Sequence, residues 1–457
     1  MKIAVFLDND PTIRHFVHSG ALGEILRQHD VVFAVPPLGH KRVSSDLGAV
    51  HALGRVVPIE FPEPRRKIWR HWFVIEQMKF PISRDKFEIW KVRWSIIGLK
   101  PALLYSFLGF PGIYGFTKMA LRWALARHQP VEFDAFLDRE KPDLLLHPST
   151  FEGHFINEVI EAGRVRDIPS VLVMNSWDNP SVKRAAAGQP DWVVVWGEQT
   201  RRHTVDMMNV PEDRVLVLGA AQFDVFRNPP RITPEEFRKE HGIESGPVVL
   251  YCGSSIGMNE SDHLLLLDDA IASGRLPPMS VVYRPHPWGV KGDVARRILD
   301  TPWKHVTIEA SMREFLTTLA ERKSQGFYMA EYARTHDILS SADAVVSPLS
   351  TILIEAALHG RPALCYYPSR ERQDAVSRTR NAQLRHFKEL LDTDILLLAE
   401  DRNEIVPMVH KLMQRVGDET HRAYVENAVK FFVEPPGGPY PEAFAALIQN
   451  IGKTTTH

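Results

Sequence analysis

Short runs of branched and aliphatic residues recur along this chain, and longer stretches with apolar residues at helical spacing separate them. Lys2–Leu7 (KIAVFL) reads as a buried strand, His18–Gln28 as a helix, and Val31–Val35 (VVFAV) as the next strand. The order returns with Asp143–Leu146, the helical Phe155–Ala162, Ser170–Met174 and Trp192–Trp196. Runs that are apolar throughout belong to strands covered on both faces, and strand–helix–strand order makes neighbouring strands parallel. The chain is therefore expected to be α/β, with parallel sheets between helical layers. A Pro-rich break with a charged helix follows at Phe226–Glu240 (FRNPPRITPEEFRKE). The alternation then restarts with Val248–Cys252, Ser280–Tyr283, Ala344–Ser347 and Ala363–Tyr366. Two α/β units are expected, residues 1–227 and 228–430. Residues 431–457 are expected to carry a C-terminal helix that packs back on the first unit. The length of 457 residues accommodates that organisation.

Charge and cysteine usage narrow the function classes. Lys and Arg number 55 against 56 Asp and Glu, a formal net charge of −1, so this is not a chain coated for nucleic acid. Cys252 and Cys365 both sit in apolar runs, too few for a disulfide framework or a zinc cluster, and a reducing compartment is expected. The start, MKIAVFLDND, lacks the long apolar core of a signal peptide. The most apolar stretch, Pro101–Lys118, is broken by Pro111 and three glycines, so no membrane span is expected. The expected location is the cytoplasm.

One segment departs from the alternation. Between Pro64 and Arg127, within an insertion expected at about residues 60–127, cations alternate with tryptophans (RRKIWRHW and WKVRW). One reading is a helical insertion whose tryptophans pack inward. The other is an acceptor-side or membrane-surface patch, since Trp with Lys and Arg suits anionic interfaces.

Two motifs carry chemistry. Tyr283–Gly289 (YRPHPWG) directly follows a predicted strand, where ligands of open α/β sheets collect. Arg284 and His286 are a cation and an imidazole suited to a phosphate or diphosphate, and Pro285 and Pro287 stiffen the loop that aims them. Ser341–Pro362 (SADAVVSPLSTILIEAALHGRP) runs strand, polar turn, helix. Its strand is expected to end at Ser347, with Ser350 as helix N-cap beside Thr351, and its first-turn amides form an anion site. Glu355, one turn on, is suited to both hydroxyls of a ribose. Gly253, Ser254 and Ser255 follow the strand VVLYC and allow close backbone approach to a phosphate.

With these residues in view, the chain resembles nucleotide-sugar-dependent glycosyltransferases of the GT-B fold. That resemblance implies two facing Rossmann-like domains, an interdomain cleft, and a donor held mainly by the second domain. His286-Pro287 looks like the HP motif of bacterial sialyl- and Kdo-transferases that use CMP-sugars, and Ser350-Thr351 like their Ser-Ser/Thr motif. The segment SPLSTILIEAALHGRPAL is similar to the donor-site helix of non-hydrolysing UDP-GlcNAc 2-epimerases. RPHP is similar to a motif of CDP-glycerol glycerophosphotransferases, although Ser347-Pro348-Leu349-Ser350 replaces the Asp-Tyr-Ser-Ser expected there. Asn175–Asn179, Trp192–Glu198 and Val215–Gly219 resemble the hinge-proximal strands of such enzymes.

The resemblance implies a transferase moving a sugar from a CMP- or UDP-sugar to a cell-surface glycan or lipid-linked precursor. Its alternatives are a glycerophosphotransferase and a 2-epimerase-like isomerase. The nucleotide-sugar is then a co-substrate, with no further cofactor and no metal expected. Peripheral contact with the inner membrane face is one reading of the basic Trp segment. A general base for acceptor deprotonation must be a carboxylate or imidazole. Asp8, Asp10 and His15 after the first strand, and Glu152 and His154 after LLLH, are the candidates, with Asp10 and His15 the preferred pair.

Overall fold

A computed structural model of the chain describes residues 1–37, 47–79, 84–150, 153–178, 180, 188–253, 259–287, 289–321, 328, 330–367 and 383–454. The apolar runs become strands. β1 (Lys2–Phe6), β2 (Asp30–Val35), β3 (Arg55–Pro58), β4 (Leu144–His147), β5 (Ser170–Val173), β6 (Trp192–Val195) and β7 (Val215–Val217) form one sheet in the order β3-β2-β1-β4-β5-β6-β7. A second sheet holds β8 (Val248–Cys252), β9 (Ser280–Arg284), β10 (Val306–Ile308), β11 (Ala344–Pro348), β12 (Ala363–Tyr366) and β13 (Leu396–Ala399). Its order is β10-β9-β8-β11-β12-β13. Every pairing is parallel. β1 and β8 are buried along almost their whole length, as strands with helices on both faces must be.

The chain divides into two compact units. The first is Met1–Asp224 with Phe431–His457, the second Val225–Lys430. The first unit is completed by the helix Tyr440–Thr454. Its Phe444, Ile448 and Ile451 join a core containing Ile3, Phe16 and Ile25. The second unit opens with the helix Pro234–Glu240. Thr233 Oγ1 accepts from the Glu236 amide at 3.2 Å and Glu236 Oε2 accepts from the Thr233 amide at 2.8 Å. This reciprocal cap, with Pro234 at the first helical position, contributes about 1 kcal/mol.

The expected helix His18–Gln28 is instead two pieces. A wide π-helical turn spans Arg14–His18, and the helix resumes at Gly23–Gln28. Gly20 between them adopts a left-handed φ of 76°, and Ser19 Oγ donates to the His15 carbonyl, so the ladder cannot continue.

The basic Trp segment is helical. It forms the helices Glu63–Met78, Arg84–Ile97, Leu99–Leu108 and Pro111–Ala126, with Gly98 and Gly109 at the breaks. Its first helix is clamped to the unit. Arg65 makes a two-pronged ion pair to Glu158 (2.5 and 2.7 Å), Trp69 Nε1 donates to the same carboxylate at 2.7 Å, and Trp69 stacks on Trp72 at 5.2 Å. Trp69 and Trp72 therefore pack inward, but Trp123 does not. No helix among the described residues is long and apolar enough to cross a membrane.

Candidate functional site

In the second unit the strand order reverses between β8 and β11, the place where parallel sheets open a crevice at their carboxyl ends. Register brings Cys252 opposite Arg284 and Tyr251 opposite Val346, so Gly253 and Pro285 leave the sheet at the edge where Ser347, expected to end its strand, is still paired with Cys365 and β11 runs on to Pro348. Gly253 donates its amide to the Arg284 carbonyl at 2.9 Å. A Cβ at Gly253 would come within 2.5 Å of Glu260 Oε2, on the helix Glu260–Ala272 that follows β8. Tyr283 donates its hydroxyl to that same oxygen at 2.6 Å, and burial, then the Glu260 charge, pushes the Tyr283 phenol well above its ordinary value.

Arg284 is buried and donates to Thr335 Oγ1 at 2.9 Å. Behind it lies Glu309, fully buried, accepting from Arg334 at 2.7 Å and from Ser311 Oγ at 2.5 Å. Burial alone would raise the Glu309 carboxyl. The charge of Arg284, the Ser311 bond and Arg334 together outweigh it and hold the group below the usual carboxylate range. Cys252 lies within reach of the Arg284 and Glu309 charges. Burial pushes its thiol up to about 12, Arg284 opposes, and Glu355, Glu260 and Glu309 add to the rise. Glu355 is buried on the helix Ile352–Leu358, which follows β11.

His286 is half-buried in a turn that Gly289 closes, its amide donating to the His286 carbonyl at 2.7 Å. The Pro287 carbonyl accepts from the Tyr328 amide at 2.9 Å. Ser347 is buried and turns its hydroxyl onto the Pro348 carbonyl at 2.8 Å, so it is occupied within its own strand. The expected cap at Ser350 is displaced by one residue. Thr351, in helical conformation, is the N-cap, and it makes no side-chain capping bond. The Leu353 amide goes to the Ser350 carbonyl at 3.2 Å, a tight first turn that leaves Ser350 outside the helix. Ser254 and Ser255 lie outside the described residues. Glu260, Glu309 and Arg334 are the members that sequence reasoning missed. The one available signal was the acid at the start of the helix after VVLYC.

The first unit has its own reversal, between β1 and β4. Asp8, fully buried, accepts from Asn9 Nδ2 at 2.5 Å and from the His154 amide at 2.9 Å. His147 Nδ1 donates to the Phe6 carbonyl at 2.8 Å, which leaves Nε2 facing Asp8 Oδ2 at 3.7 Å. His154 Nε2 donates to the Ile59 carbonyl at 2.8 Å. Gly153 lies so close to Asp8 that a Cβ there would overlap its carboxylate. Asp10 is half-buried at the start of the helix Asp10–Ile13, whose N-cap Asn9 accepts from the Thr12 amide at 2.9 Å.

His15 is buried. Burial first, then Arg14, holds its imidazole well below its ordinary value against a bond to the Asn175 backbone, and Arg14 Nη2 approaches its Nε2 at 3.2 Å. Glu152 lies outside the described residues. Trp177 and Trp196 are core side chains. Trp196 Nε1 donates to the Met174 carbonyl at 2.9 Å, and Asp178 accepts from Ser176 Oγ at 2.6 Å. Among the described residues no group of three His, Cys, Asp or Glu side chains is gathered to hold a metal ion.

No protein-family model matches the chain, and no curated protein matches it. Solved structures do. A UDP-GlcNAc 2-epimerase from Neisseria meningitidis, bound to UDP-GlcNAc, superposes with a TM-score of 0.57 at 13% identity, over 98% of this chain and 100% of that one. The MnaA protein of S. aureus, in a co-structure with UDP, gives 0.54 at 11% identity over 100% and 98%. The glycosyltransferase of kitacinnamycin gives 0.50 at 12% over 98% of each. These likenesses establish the fold, two parallel α/β units of the GT-B type.

Proposed function

We propose that the chain is an enzyme acting on a nucleotide-activated sugar, and in the first instance a glycosyltransferase. The observation that carries this reading is the carboxyl edge of β8, β9 and β11, where the buried Arg284 bonds Thr335, Gly253 closes on Glu260, and the buried Glu309 holds Arg334. One buried cation held by counter-ions, one half-buried imidazole and one ribose-reaching acid at a strand-order reversal suit a nucleoside phosphate. His286 would touch the phosphate, Arg284 would supply positive potential beneath it, and Glu355 would accept from the ribose hydroxyls. The departing phosphate would be stabilised by groups already fixed in place, which is where such sites gain most of their rate.

Asp10 is the preferred base for the acceptor hydroxyl, paired with His15, whose burial keeps its imidazole neutral. CMP- and UDP-sugars are the donors that the sequence motifs favour, with a surface glycan or lipid-linked precursor as acceptor. A 2-epimerase-like isomerase is the second reading, favoured by the likeness to the N. meningitidis epimerase. An isomerase converts its nucleotide-sugar alone, whereas a transferase releases nucleotide only with an acceptor present.

The test is a thermal-shift panel of CMP, CDP, UDP and GDP. A nucleotide at about a hundred times its dissociation constant should stabilise by ~2.7 kcal/mol. That shift should vanish in His286→Ala, and Glu355→Gln should erase the preference for ribonucleotides over deoxyribonucleotides. A panel with no response, or variants that respond like the parent, would end the reading.

A further inference from the structure

The second half of the helical insertion leaves an apolar face uncovered. Leu103, Leu104 and Phe107 on one helix and Phe116, Met119 and Trp123 on the next keep between 55% and 70% of their surface exposed. The last three recur at i, i+3 and i+7, so they line one side of their helix. Large side chains this exposed, close together along the chain, mark an interaction surface. Charge says which kind. From Ile89 to Arg127 the sequence has six cations and no acid. Lys100, Lys118, Arg122 and Arg127 are exposed beside the apolar side chains, and the Arg127 guanidinium lies 3.3 Å over the Trp123 ring.

We propose that the helices Leu99–Leu108 and Pro111–Ala126 dock in the plane of a bilayer containing anionic lipid. Apolar side chains on a short helix too short to span, flanked by cations of one sign, suit insertion at the headgroup boundary. There Trp sits at the interface and Lys and Arg extend to the lipid charges. A second copy of the chain fits poorly. A two-fold contact would set the same cations against each other with no acid in the segment to answer them. The docking surface stands independently of the donor-site reading, and if both hold, the acceptor is carried by a lipid.

The experiment is flotation of the full-length protein with vesicles of equal parts phosphatidylglycerol and phosphatidylcholine, and with phosphatidylcholine alone. Binding should be at least roughly tenfold tighter to the anionic vesicles and should weaken with salt. Phe107→Ser with Phe116→Ser and Trp123→Ser should abolish it. Lys118→Glu with Arg122→Glu should lower it by roughly tenfold or more. Both variants should keep the parent's melting temperature and its response to nucleotides. Equal binding to both vesicle types overturns the proposal, as does parent-like binding by folded variants. Vesicles left unbound while sedimentation shows a dimer that the serine variant abolishes would overturn it in favour of self-association.

Discussion

At the end of β1 the chain sets Asp8 among amides and one imidazole, whereas at the end of β8 it sets Cys252 and Gly253 among full charges. The two sheets share a strand order over six strands, 3-2-1 then 4-5-6, so topology does not explain the contrast. In the first unit a glycine leans on a buried carboxylate that neutral donors hold. In the second a glycine leans on Glu260, with Arg284, Glu309 and Arg334 close by. A scaffold offers the crevice, and the side chains at its edge decide what it attracts. The first edge should therefore respond to changes of shape and the second to changes of charge.

The largest expected effect tests the second edge. Glu309→Ala leaves Arg284 and Arg334 facing a buried void, and removing one partner of a buried ion pair costs about 3–5 kcal/mol. The denaturation midpoint of the full chain should fall accordingly, and a loss no bigger than that of a surface substitution would erase the distinction.

Acid should act on both units, and a buried histidine in each shows how. Burial lowers His15 in the first, and in the second it brings His359 to about 4, against the pull of the Glu355 carbonyl and with help from His336 and Arg361. The unfolded chain binds the His359 proton near pH 6.5 and the folded chain does not until about 4, and His15 shifts in the same direction. The stability is therefore complete above 6.5 and is lost as pH falls toward 4. The His359 share is on the order of 3 kcal/mol. Melting temperature against pH should slope less steeply in His359→Asn, and an unaltered slope would remove His359 from the account.

The smallest effect, about 1–3 kcal/mol from overpacking, is expected of Gly153→Ala, where the added methyl must push Asp8 off its donors. Crystallography of that variant should show the Asp8 carboxylate displaced from the His154 amide. An undisturbed Asp8 would mean that the first edge is not sensitive to shape.

The central strands were legible because burial on both faces leaves an unbroken apolar run, as in KIAVF and VVLYC. β3, β10 and β13 were not recognised. Each lies at a sheet margin, is three or four residues long, and has partly exposed positions that dilute the signal. The helix caps were off by a residue at Ser350 because the tight first turn depends on backbone geometry that residue type does not encode.

Arg284, His286 and Glu355 could be named from motif chemistry, since Arg284 ends a strand, His286 follows it within two residues, and Glu355 sits on the helix after β11. Glu309 lies 25 positions beyond Arg284, and its proximity exists only once β10 has paired with β9, which joins the Glu309 amide to the Tyr283 carbonyl at 2.8 Å. The exposed face at Phe116–Trp123 was open to either reading of the basic segment, because composition does not tell which tryptophans a fold turns inward.

The helix Tyr440–Thr454 belongs to the core of the unit that the chain begins. During synthesis, that unit's first 224 residues must wait on the ribosome through some two hundred more before their last wall arrives, while Val225–Lys430 is contiguous and can close early. The part made first is finished last, and a nascent chain stalled before residue 440 would carry a completed second half beside a sheet still open on one side.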